Sequence, residues 1–206
     1  MKNLTWFLIL LFTFFPGFIF AQDYTHNTVS FPNAVHHEAH ITVEFRGVQT
    51  PVLEARMARS SPGRYALHEF AKNIYAVKAE NSRGEALPIS RPNPHQWNVS
   101  GHDGTVKITY TLFGDRIDGT YASIDETHAH LNAPATFMYA YGFENKPFHV
   151  EFELPKSKNW SVATQLNTQT KTDAAVLARD QEDPGLVSLD ALAWHCRPLS
   201  GADLTA

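Results

Sequence analysis

TVKITYTLF occupies residues 105–113. Val106, Ile108, Tyr110 and Leu112 fall on one side of an extended chain, and Lys107, Thr109 and Thr111 on the other. A period of two belongs to a β-strand with one buried and one wet face; a helix would repeat its apolar positions at three and four. Reading outward, HITVEF at 40–45 alternates in the same way, with Ile41, Val43 and Phe45 against Thr42 and Glu44. HVEFEL at 149–154 sets Val150, Phe152 and Leu154 against Glu151 and Glu153. Shorter extended stretches are read at 52–58, 74–79, 96–99 and 160–166. Turn signals separate them: SPG at 61–63, SRG at 82–84, RPNP at 91–94, GHDG at 101–104 and FGD at 113–115. One short helical segment is expected around His68–Asn73. The fold class that follows is all-β, an antiparallel β-sandwich-like domain, with Trp97, Tyr110 and Phe152 pointing into its core.

The chain has 206 residues, enough for one domain with its own core. Hydrophobic residues make up 43% and charged residues 18%, values of a globular protein. The net charge is −4 and no basic run occurs, so nucleic acid is not an expected partner. Residues 1–21 stand apart. Lys2 is followed by an uncharged apolar run broken by Pro16 and Gly17 and closed by Ala21. This is the layout of a secretory signal peptide cleaved before Gln22, and it predicts a periplasmic or extracellular protein, free of the membrane once cleaved. A retained membrane anchor is the other reading. Cys196 is the only cysteine, so an exported domain would hold no internal disulfide.

Two histidine-rich stretches raise the question of metal. AVHHEAHITVEF at 34–45 carries His36, His37, Glu38 and His40. A zincin helix needs H-E-x-x-H, and here His37 stands where the catalytic glutamate belongs. The segment runs into a strand, where His36 and His40 would lie about 13 Å apart at the ~3.3 Å rise per residue, too far to share an ion. THAHLN at 127–132 places His128 and His130 on one face of a strand. They are the candidate metal pair, with a third ligand to come from Asp125, Glu126, His102 or His149. Hydrogen-bonded loop histidines are the plainer reading. No G-x-S-x-G, C-x-x-C or phosphate-binding glycine loop occurs. No catalytic residue and no cofactor is assigned.

Two longer stretches are more specific. Residues 56–87 contain Ser61-Pro62-Gly63-x-Tyr65 and Phe70-Ala71-Lys72-Asn73. Residues 110–142 contain Asp118-Gly119-Thr120-Tyr121 and His130-Leu131-Asn132-Ala133-Pro134. With the lone Trp97 between them and LPKSKNWSVATQL at 154–166, they resemble the N-terminal domain of the glycyl aminopeptidase family, zinc metallopeptidase family sixty-one. The resemblance covers residues 24–170. It implies an antiparallel β domain followed by a thermolysin-like catalytic domain that carries H-E-x-x-H and the zinc. None of those ligands has a counterpart here, so no zinc is expected in this chain. The domain organisation expected is a signal peptide at 1–21, the family's β domain at 22–170, and a divergent tail at 171–206. That tail, with Trp194, His195 and Cys196, shows no alternation. A short helix over Ala174–Ala178, stopped by Asp183-Pro184-Gly185, is its one local feature. A frameshift, an early stop or disorder would account for it, and a true stand-alone domain is the alternative.

Three functions follow. The first is an exported, non-catalytic N-terminal domain, or truncated remnant, of a glycyl-aminopeptidase-like peptidase, which in the full family would flank the active-site cleft and partner the catalytic domain. The second is a stand-alone β module binding peptides or proteins. The third is a small metal-binding protein using His128 and His130. The chain is not expected to be an enzyme on its own. For the domain interface the candidates are Asp125, Glu126, His128, His130, Asn132, Phe137 and Met138, because an apolar run beside a polar loop is typical of an exposed interface.

Overall fold

The computed structural model describes residues 24–61, 65–144, 146–156, 160–164, 166–172, 175–179 and 193–198. The signal-like segment 1–21, Pro62-Gly63 of the first turn motif and Asp183-Pro184-Gly185 lie outside the described residues. The strands form three sheets. The largest has seven: β1 (Thr25–Asn33), β2 (Glu38–Arg46), β4 (Ile74–Glu80), β7 (Thr105–Phe113), β11 (Phe148–Glu153), β13 (Asn167–Thr172) and β14 (Ala175–Arg179), in the order β13-β14-β11-β1-β2-β7-β4. A second sheet runs β10 (Tyr139–Ala140), β3 (Val52–Arg56), β6 (Gln96–Ser100), β5 (Ile89–Asn93). A third runs β12 (Trp160–Ala163), β15 (Ala193–Pro198), β9 (Ala129–Asn132), β8 (Ser123–Ile124). One short helix, α1 (Ala133–Thr136), follows β9. All pairings are antiparallel among the described residues except β1 with β11, which is parallel.

The alternation at 105–113 does what its period requires. Val106, Ile108, Tyr110 and Leu112 are fully buried, while Lys107, Thr109 and Thr111 are half-buried on the far face. β7 pairs with β2 from Glu38↔Phe113 to Arg46↔Thr105, so Ile41, Val43 and Phe45 enter the same core. Trp97 and Phe152 are buried as expected. Leu53, Ala55, Met57 and Val99 of the second sheet join these residues in one hydrophobic cluster. Removing each large side chain from water stabilises the fold by about 1.5–3 kcal/mol.

Three features depart from the sequence reading. The helical segment near His68 is a single 3₁₀ turn, Phe70–Asn73, entered through Glu69 in the left-handed region at φ 51°. The chain has too few residues between that point and β4 for a longer helix. The apolar alternation of β1 is cut to Val29 and Phe31 because two of its inward positions, Thr25 and Asn27, are polar. Asn27 is buried, and its side-chain amide donates to the His149 carbonyl at 3.0 Å. The tail also contributes strands. Ala175–Arg179, where the sequence predicts a short helix, pairs antiparallel with β11, whose outer edge would otherwise lack partners for its backbone groups. Ala193–Pro198, with Trp194, His195 and Cys196, lies between β12 and β9.

Candidate functional site

The motifs at 61–73, 118–121 and 130–134 are remote in sequence and meet in one cluster. Asp118 organises its own turn by accepting the backbone N–H of Thr120 at 2.7 Å and of Tyr121 at 3.1 Å. Burial pushes its carboxyl up, but those two amides and the Arg116 guanidinium outweigh it and hold the group below the usual carboxylate range. Asn132, buried at the end of β9, donates to the Thr120 carbonyl at 2.7 Å and to the Ser61 hydroxyl at 3.3 Å. The buried Tyr121 ring then lies edge-on to Phe70 and His68, with centroids at 5.1 and 5.3 Å. Two exposed cations sit against that ring. The Arg116 guanidinium carbon is 4.1 Å from its centroid, and Lys72 Nζ is 5.2 Å away and donates to the Tyr121 hydroxyl at 3.2 Å. Arg116 also pairs with Asp118 Oδ2 through its Nε at 2.8 Å, so its charge is balanced within the turn, while Lys72 stays exposed beside the ring. The sequence alone assigns no role to Lys72, Arg116 or Tyr121; the available signal is their place inside the two motif stretches.

The loop after β8 is built around Asp125. Its Oδ1 accepts Thr127 N–H and Thr127 hydroxyl, both at 2.6 Å, and His128 N–H at 2.9 Å. The His128 ring turns back to Asp125 Oδ2 at 3.2 Å. Burial alone would raise the Asp125 carboxyl, but these donors pull it down to about 2. Glu126 is exposed on the same turn. His130 lies within β9, opposite Ser123 and His195. His128 precedes that strand, and its ring is taken up by Asp125 and Thr127. The 34–40 stretch is also divided among separate partners. His36 Nδ1 pairs with Asn33 at 2.8 Å, His37 Nδ1 with the Ile124 carbonyl at 2.6 Å, and Glu38 accepts from Asn33 and Tyr75. Among the described residues no three His, Cys, Asp or Glu side chains converge on a point that could hold a metal ion.

The apolar run expected at the surface is inside. Phe137 is 4% and Met138 1% exposed, and Asn132 is buried with them. α1 folds the run back onto β7, where the Tyr110 hydroxyl donates to the Thr136 carbonyl at 2.6 Å. Of the interface candidates, Asp125, Glu126, His128 and His130 keep exposed or half-buried positions; Asn132, Phe137 and Met138 do not. Phe137 and Met138 instead line an apolar cavity of about 250 Å³ with Phe45, Phe143 and Phe148. A second cavity, of about 380 Å³, lies beside β3 and shares Phe143 with it.

The fold has a counterpart among solved proteins. An aminopeptidase N family protein from Idiomarina loihiensis superposes with a TM-score of 0.73 at 17% identity, over 84% of this chain and 29% of that one. An M1 zinc metallopeptidase mutant from Deinococcus radiodurans, bound to a Tyr-Ser-Ala substrate, matches at a TM-score of 0.49 and 12% identity, over 86% of this chain and 41% of that one. The chain thus spans under half the length of either. No curated protein matches it. The family description Peptidase M61 N-terminal domain matches residues 26–182, well over half of the sequence, and the chain belongs to that family.

Proposed function

We propose that this chain is an exported, non-catalytic docking domain, which packs beside a zinc metallopeptidase catalytic domain and forms one wall of its active-site cleft. The observation that carries this reading is the Tyr121 cluster. The family-specific side chains serve to hold a turn in place, with Lys72 presented outward, and not to assemble a nucleophile, base or metal. An exposed Lys72 held against the Tyr121 ring suits pairing with a carboxylate on a neighbouring domain. The Asp125 turn follows directly after β8 and brings Glu126, His128 and His130. The composition of residues 1–21 supports export.

The experiment is to add, in trans, the separately expressed catalytic domain of an intact M61 relative. It binds, and Lys72→Glu weakens binding about tenfold while circular dichroism and melting are unchanged. Binding indifferent to that substitution would discard the docking face. The secreted protein begins at Gln22, and alone it hydrolyses no aminoacyl substrate. A chelator-sensitive peptidase activity lost on His128→Ala would replace this reading with that of a small metalloenzyme.

A further inference from the structure

We propose that the uncovered half of β3 is a peptide-binding edge, which takes a single extended, uncharged peptide segment into the cavity beside it by β-augmentation. This site is separate from the docking face at Tyr121 and does not depend on it.

The phase of β3 follows from one hydrogen bond. Met57 N–H donates to the His95 carbonyl at 3.0 Å, in register with the β3–β6 ladder. In an antiparallel pair the bonded positions alternate, so Met57, Ala55 and Leu53 bond toward β6, while Arg56, Glu54 and Val52 turn their N–H and C=O the other way. Ser100, opposite Val52, agrees: its N–H points away from β3, to the Pro88 carbonyl at 3.3 Å. On the outward side β10 covers only Arg56 and Ala55, and the same alternation assigns the Glu54 carbonyl to the end of that short ladder, at Tyr141. The chain then leaves the sheet. Phe143 N–H donates to the Ala140 carbonyl at 3.2 Å, and Gly142 adopts φ +85° within that turn. Val52 O is capped by the Thr50 hydroxyl at 2.8 Å. The N–H groups of Glu54 and Val52 face the gap where β10 would have continued, and no partner for either occurs among the described residues.

That gap is the 380 Å³ cavity. Val48, Val52 and Glu54 line it on one side, and Tyr141, Phe143 and Lys146 on the other. Its shape is a fork between the edge of β3 and the departing chain, so the guest is a lone strand. A second copy pairing β3 to β3 would drive its own Tyr141–Phe143 turn into the same space. The charge balance selects a neutral guest. The lining carries one carboxylate, Glu54, and one ammonium, Lys146, so it presents no excess of one sign. Recognition rests on two guest carbonyls, which accept from the Glu54 and Val52 N–H groups, and on one apolar side chain against Val48 and Phe143. That is the usual division of labour in strand addition.

The test uses the protein and the probe acetyl-Thr-Val-Thr-Val-Thr-amide, followed by amide NMR. Saturable shifts are expected at Val52–Glu54 and Tyr141–Phe143, with the Val52 and Glu54 amides slowed in hydrogen exchange at saturation. Glu54→Ala keeps the backbone N–H and retains binding. Glu54→Pro removes an N–H that bonds nothing internally, so the edge strand tolerates it, and binding falls about tenfold for the lost bond. Should Glu54→Pro not fold, a probe whose central peptide bonds are replaced by E-alkenes lacks the accepting carbonyls and shows the same loss. The proposal is overturned by absence of shifts at millimolar peptide, or by equal binding of the alkene and peptide probes. Shifts that appear on concentrating the protein alone would also overturn it, because they mean that a second copy occupies the edge.

Discussion

The Tyr110 hydroxyl lies 2.6 Å from the Thr136 carbonyl oxygen and also receives the Met138 N–H at 3.2 Å. A side chain from β7, one strand in from the β4 edge of the largest sheet, thereby satisfies two backbone groups of the buried segment around α1. Tyr110→Phe leaves both without a partner in a dry interior. The expected loss is about 1–3 kcal/mol in urea unfolding, with no change in the far-ultraviolet spectrum. A neutral outcome would mean that the segment repacks.

Gly114 is a point of close approach. A Cβ there would stand 3.0 Å from Ala122 Cβ and 3.1 Å from the Ala122 carbonyl carbon and oxygen. The glycine cannot shift freely, because its carbonyl accepts Ile124 N–H at 2.8 Å and its N–H donates to His37 O at 2.8 Å. Gly114→Ala is expected to destabilise by about 1–3 kcal/mol, the cost of overpacking, and to lower the melting temperature.

The Asp125 turn is acid-sensitive. Its carboxyl titrates at about 2 in the fold, against 3.8 for an unperturbed aspartate side chain. A depressed folded value means stabilisation that is complete above the unfolded pKa and lost as pH falls from about 4 toward 2. The amides of Thr127 and His128 are expected to lose their hydrogen-bonded shifts across that window. Asp125→Asn should flatten the response, since it titrates nothing there. An unchanged pH profile in that variant would show that other carboxylates control the transition.

Phe152 is fully buried on β11, and Phe152→Ala is expected to cost about 3–5 kcal/mol. Chemical denaturation measures it. A cost below about 1 kcal/mol would require the strand to sit one residue out of register, with its other face inward.

Legibility in the sequence follows from how each element is stabilised. β2, β7 and β11 bury one face of aliphatic and aromatic residues, and the period of two shows them directly. β1 is as central as any of them, yet Thr25 and Asn27 occupy two of its inward positions, so its apolar alternation is cut to Val29 and Phe31, too short to read as a strand. β8 and β10 are two residues long and exist only through their partners. The run Ala133–Met138 is apolar because it is core, and composition alone does not tell buried from interfacial. The motif residues Ser61, Tyr121 and Asn132 are visible as a resemblance. Their mutual contact is not, because it depends on the three-dimensional return of the chain.

The parallel pairing of β1 with β11 carries a consequence for the order of folding. Asn27 and its partner His149 are 122 residues apart in the chain. β1 meets β2 across a short turn and can form that hairpin early, but its other edge has no partner until β11 exists. Closing so long a loop costs chain entropy before its contacts stabilise anything, and high sequence separation slows folding. During synthesis the hairpin therefore waits with one flank open while residues 47–147 are added. Its exposed flank is the surface on which chaperones, or a misdirected strand from another chain, would compete with β11. Hydrogen exchange pulsed during refolding should protect the β1–β2 ladder first and the β1–β11 amides last.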